Sequence, residues 1–182
     1  MWIFIDNTYY NSLCGNNATK AQWLTFFKIS KINLSTVSKK ALYSFEYNQK
    51  AKIKRGAQQG DLIVYPYMKA TLYLSYVPVK NNLDSLLTDA YKLPSKHISK
   101  ANDIPERLFI NPEQRVYGTL FKVVGNAASQ LQFFLTDSIH HFMIGSLYFY
   151  SRPNYDSLLP ALDYIEKDVI HLMETLEWKE KN

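Results

Sequence analysis

Asp137, Ser138, His140 and His141 fall within five residues of one another, and they are the side-chain types from which a metal centre or a hydrolytic triad is built. Their spacing argues against both. Neighbouring strand residues point to opposite faces, so at most one of His140 and His141 can join Asp137 at a single ion. A zinc site takes three or four ligands, and the only other histidines are His97 and His171. A triad of Asp137, Ser138 and His141 would crowd its three members into one tight turn, which does not suit the required geometry. Ser129 is not in a G-x-S-x-G elbow, because Gly-Asn-Ala-Ala-Ser places the serine one position too late. Gly125 and Gly145 are isolated rather than part of a phosphate-cradling loop, and each is better read as relieving crowding at a turn or strand. The reading that follows is a non-enzyme with no metal and no cofactor. The alternative is a small-ligand-binding or hydrolytic domain gathering Asp137, His141 and His97.

The composition bounds the rest. A chain of 182 residues is long enough for one good-sized core. Tyrosine is abundant (14) while glycine (6) and proline (7) are scarce, which favours a packed, sheet-containing domain. No apolar run approaches the roughly 18 residues of a membrane-spanning helix. The first residues lack a basic start, and Asp6 and Asn7 interrupt the apolar stretch, so no signal peptide is expected. Cys14 is the only cysteine and reads as a free thiol. The net charge of +5 conceals an asymmetry: residues 1–100 carry 14 basic and 5 acidic side chains, residues 101–182 carry 7 and 11. The densest basic stretch is Lys50, Lys52, Lys54 and Arg55. Such a stretch can bind anionic lipid or nucleic acid, but its alternation suits the wet face of a strand. With no nucleic-acid-binding motif present, no nucleic-acid partner is expected.

These residues must be positioned by regular elements. Residues 1–40 lack clear periodicity and read as an N-terminal extension; residues 41–182 read as the domain proper. Tyr43–Tyr47 and Leu62–Tyr65 have strand character, and Ala70–Val77 alternates at period two. Leu83, Leu86, Leu87, Ala90 and Tyr91 recur at helical spacing, capped by Asn81 or Asn82 and stopped by Pro94. Arg107–Ile110 and Arg115–Val124 read as a hairpin around Asn111-Pro112. Leu131–Thr136 and His141–Tyr150 form a second, closed by Asp137-Ser138. Leu158, Leu162, Ile165, Val169, Leu172 and Leu176 mark a long amphipathic helix, with Asp163, Glu166, Lys167 and Glu174 outward. Asn154 or Asp156 caps its start, with Pro160 in the first turn. The predicted fold is a single α+β domain: a mostly antiparallel sheet packed by a mid-chain helix and a long C-terminal amphipathic helix.

Several segments carry a family likeness. They are FEY at Phe45–Tyr47, YPYMKATLYLSY at Tyr65–Tyr76, KH..KA at Lys96–Ala101, GNAASQLQFFLTDS at Gly125–Ser138, HF..GSLYF at His141–Phe149, PNYDSLLP at Pro153–Pro160 and ETLEW at Glu174–Trp178. In this order they resemble the GldD family, the gliding motility-associated lipoproteins of gliding bacteria. The resemblance implies a non-enzymatic protein of the cell envelope, held by a lipid anchor at the periplasmic side of a membrane. It implies a role in gliding and the associated type IX secretion machinery, through contact with and stabilisation of partner lipoproteins. It implies no catalytic residue. Three departures stand out: the family's signal peptide and lipidated cysteine are not visible here, Ile144 replaces an arginine, and Asn48 replaces a proline.

The partner-contact surface expected from the matching segments comprises Asn126, Gln132, Asp137, His141, Asn154 and Asp156. Each also has a plain structural reading as a turn or cap residue, which is the favoured one for Asn154 and Asp156.

Overall fold

The alternating run after Met68 becomes an interior strand of a seven-stranded sheet in the computed structural model, which describes residues 34–36, 42–55, 60–96, 98–150 and 154–179. The expected extension over residues 1–40 therefore lies outside the described residues except for 34–36, and Cys14 and His97 lie outside them too. In chain order the strands are β1 (Leu34–Thr36), β2 (Tyr43–Ser44), β3 (Glu46–Asn48), β4 (Lys52–Arg55), β5 (Gly60–Tyr65) and β6 (Ala70–Pro78). Helix α1 (Leu83–Ser95) follows, then β7 (Ala101–Asp103), β8 (Glu106–Asn111), β9 (Val116–Lys122), β10 (Val124–Gly125), β11 (Ser129–Thr136) and β12 (His141–Phe149). Helix α2 (Tyr155–Glu174) and β13 (Glu177–Trp178) complete the described chain.

The large sheet has the order β4-β5-β6-β12-β11-β9-β8 and is antiparallel throughout. Two meanders, β4-β5-β6 and β8-β9-β11-β12, meet where β12 lies against β6. The chain passes from one to the other through α1. Short pairs β1-β3, β10-β7 and β13-β2 tie the margins. This is the predicted α+β architecture, with both hairpins in place.

Period-two alternation sends Leu72, Leu74, Leu131, Phe133, Leu135, Met143 and Leu147 to one face, where they pack with Leu162, Ile165, Val169 and Leu172 of α2. On the other face, Phe121, Phe134 and Phe142 pack beneath α1, with Ala90, Leu83, Leu86 and Leu87 closing over them. Burial on both faces explains why β11 is buried along its whole length. Pro160 is the sixth residue of α2 rather than part of its first turn, because the helix starts at Tyr155, three residues before the first core leucine. On the edge strand β8, Leu108 and Ile110 lie exposed.

Candidate functional site

The turn joining β11 to β12 holds the residues that first suggested chemistry. Asp137 is buried, and its Oδ1 accepts the backbone N–H groups of Ile139, His140 and His141 at 3.0, 2.8 and 2.7 Å. Those three amides have no strand partner in the turn, so the carboxylate does for them what a cap does at a helix start. Ser138 takes a left-handed backbone, φ 67°, and its N–H donates to the Thr136 hydroxyl at 2.9 Å. Burial pushes the Asp137 carboxyl up, but the three amides outweigh it and hold the group below its ordinary value. His140 is exposed, with Nδ1 3.8 Å from Asp137 Oδ2.

His141 sits inside the sheet margin. Its Nδ1 lies 2.9 Å from the Tyr76 hydroxyl, and its ring stacks on Trp178 at 5.1 Å with 6° between the planes. Burial lowers its pKa against the opposing pull of Asp137 and so favours the neutral imidazole. Trp178 is carried there by β13 and donates from Nε1 to the Arg115 carbonyl at 3.2 Å. Asp137 and His141 therefore share one turn, but the carboxylate is spent on backbone amides and the imidazole on packing. Each is accounted for without a reaction.

The other sequence-predicted contact residues lie elsewhere. Asn126 Oδ1 accepts from Tyr155 N at 2.9 Å, and Asn154 Oδ1 accepts from Ser157 N at 3.4 Å. Both satisfy amides at the start of α2 that have no helical acceptor. Asp156 lies exposed in the first turn, where a negative charge suits the helix dipole. These three are separated from the Asp137 turn by the eight residues of β11, about 25 Å at strand rise. Gln132 lies between the two ends, 3% exposed, with Oε1 buried and unpartnered.

A polar cluster at the far end of the core escaped the sequence reading. Asn48 Nδ2 donates to Asp168 Oδ2 at 3.0 Å and to the Tyr164 hydroxyl at 2.6 Å, and the Tyr65 hydroxyl also donates to Asp168. Asp168 is 8% exposed; burial raises its pKa to about 6 against the lowering pull of Asn48 and Tyr65. The signal was present in the spacing, since position 168 lies three after Ile165 and four before Leu172 and so faces inward. Beside the β2–β13 pair lies a cavity of about 320 Å³ lined by Ser44, Glu46, Gln114, Glu174, Thr175 and Glu177. Glu46 there is paired with His171 at 2.8 Å.

Among the described residues no group of three or more histidines, cysteines or carboxylates is arranged to hold a metal ion. No described helix is long and apolar enough to cross a membrane. A family model described as gliding motility lipoprotein GldD matches residues 14–178. No curated protein matches the chain.

Proposed function

The chain belongs to the GldD family of gliding motility lipoproteins, and from that premise we propose that it is a non-enzymatic component of the cell envelope that works by contact with other proteins. Its place is the periplasmic side of a membrane, held there by a lipid anchor. Its task is to support gliding and the associated type IX secretion machinery by stabilising partner lipoproteins. The observation that carries this reading is the family match over residues 14–178. The geometry supports it, because the residues best suited to chemistry are occupied as turn, cap and packing groups.

Of the sequence-predicted contact residues, Asn126, Asn154 and Asp156 are exposed together at the start of α2, and they form the part of that set a partner reaches most readily. Asp156→Ala removes only a first-turn dipole contribution of about 0.5 kcal/mol. It is expected to leave the protein level unchanged while reducing gliding. Deletion of the whole chain is expected to abolish gliding and to lower the levels of partner lipoproteins in envelope fractions. Spreading colonies, protein levels and secreted-protein yield read these outcomes. Normal gliding and secretion in the deletion strain would overturn the proposal.

A further inference from the structure

Among the described residues, only half of the sheet face beneath α1 is covered. The helix closes over Phe121, Phe134 and Phe142; the part of the same face built from β4, β5, β6 and the second half of β12 lies beyond it. Cross-strand register lays out that open half. One row runs Lys54, Leu62, Tyr73, Ser146 and ends against the buried Gln132, and the next runs Lys52, Val64, the buried Thr71, and Tyr148. Tyr73 is 38% and Tyr148 39% exposed, and their rings meet edge to face at 5.6 Å. Tyr150, 62% exposed, brings its hydroxyl to within 2.9 Å of Thr71 Oγ1 and 3.2 Å of the Tyr73 hydroxyl.

Three features of this surface matter together. The rings are held by one another and by a hydroxyl network, so a partner orders few side chains on binding. Tyrosine supplies broad, rigid, amphipathic contact area at low conformational cost. The charge is of one sign: Lys52 and Lys54 are exposed on the face, and the two rows contain no carboxylate. Asp61, the acidic residue of β5, pairs with Leu74 and takes the Tyr43 hydroxyl on the opposite face. Hydrogen bonds from the Thr71 and Tyr73 hydroxyls, with a smaller contribution from Lys54, hold the Tyr150 hydroxyl below its ordinary value.

We infer that this tyrosine-lysine face is the docking surface for an acidic segment of a partner protein, laid across β5, β6 and β12 with its carboxylates toward Lys52 and Lys54. The inference deepens the contact function proposed above and rests on it. Charge complementarity selects the occupant: opposed charges steer and orient a partner, while the flat aromatic rows give it area. A membrane surface fits less well, because these rings lie along a strand surface with the Tyr73 and Tyr150 hydroxyls tied down, rather than projecting as an apolar wedge. A second copy of the chain would bring like charges together at the lysines.

Site-specific photo-crosslinking in gliding cells tests this with the full-length chain. The probe is a benzoyl-phenylalanine at position 73, with a second at exposed position 174 on α2 as the control. The expected result is a protein adduct from position 73 whose crosslinked peptide is rich in Asp and Glu. Its yield should fall about tenfold, the equivalent of about 1.4 kcal/mol, in the double variant Lys52→Glu, Lys54→Glu, and be retained in Lys52→Arg, Lys54→Arg. Both lysines are exposed, and an unchanged thermal midpoint of the purified Glu variant shows that it folds. An adduct with lipid, with a second copy or with a basic peptide overturns the inference, as does no adduct above the control. If the Glu variant glides normally while the deletion strain does not, this surface is wrong and the contact function stands. If the deletion strain glides, the function itself is wrong.

Discussion

Two buried carboxylates in this molecule are shifted in opposite directions, and the sign in each case follows from what its oxygens meet. Asp137 accepts three backbone amides and is held below its ordinary value. Its stabilising contribution is present above the unfolded value near pH 4 and is lost as the pH falls through the folded one. Asp168 is held up near 6 by burial. The folded chain therefore binds more protons than the unfolded chain between about pH 4 and 6, and stability from this group falls as the pH rises through that window. Two pKa units correspond to about 3 kcal/mol. Asp168→Asn keeps an oxygen for Asn48 and Tyr65 and removes the charge. Urea unfolding is expected to show the variant more stable than the parent by up to about 3 kcal/mol at pH 7, with the difference vanishing below about pH 4. A constant difference at all pH values would show that Asp168 does not titrate in this window. The sequence shows Asp168 on the inward face of α2 by spacing, but its partners Asn48 and Tyr65 come from β3 and β5, and Tyr164, which shares Asn48 with it, from α2 itself. A contact set drawn from such distant positions is invisible to periodicity. Asn48, met in the sequence as a departure from the family pattern, is the residue that joins them.

At the scale of the elements, strand pairing sets the tightest constraint. A Cβ built on Gly118 falls 1.9 Å from the Phe134 carbonyl oxygen of the neighbouring strand, a backbone atom that cannot swing aside. Gly118→Ala is expected to cost about 3 kcal/mol, as overpacking of a close-packed core does, read as a lowered urea midpoint with an unchanged slope. Gly145 is different in kind, since its Cβ would meet the ring of Phe133, a side chain rather than a backbone atom. Isolated glycines within strands signal such close approach, and the sequence reading took Gly145 that way. The hairpins and the two amphipathic helices were likewise legible, because period two and period 3.6 leave opposite imprints on leucine and aromatic positions. The short pairs β1-β3, β10-β7 and β13-β2 were not. Two or three residues cannot display a period, and the β13-β2 pairing joins residues 133 positions apart, as Glu177 with Ser44. Separation in sequence likewise hid the stacking of Trp178 on His141. The candidate contact residues were legible as polar groups near turns, while their division between the α2 start and the Asp137 turn required the fold.

For the molecule as a whole, the order β4-β5-β6-β12-β11-β9-β8 means that the strands at the middle of the sheet are among the farthest apart in sequence. Pairings such as Leu72 with Leu147 close long loops before they return any stabilisation, which slows folding. The tyrosine-lysine half of the sheet face belongs to this scale too: Lys52 and Lys54 come from one meander and Tyr148 from the other, so the surface exists only once both have joined. The β6–β12 seam has a further consequence. The chain crosses it once, by way of the exposed Lys80-Asn81-Asn82 link, where Asn81 takes a left-handed backbone at φ 57°. The protein is thus two interlocking pieces that happen to be covalently joined. Severed at that link and co-expressed, the fragments 1–80 and 81–182 are expected to recombine and co-purify as one folded particle, whereas either alone exposes a full strand edge and aggregates. Such a split chain turns the seam into a sensor: a tag on each fragment reports, inside the envelope, when and where the two halves of the sheet are brought together.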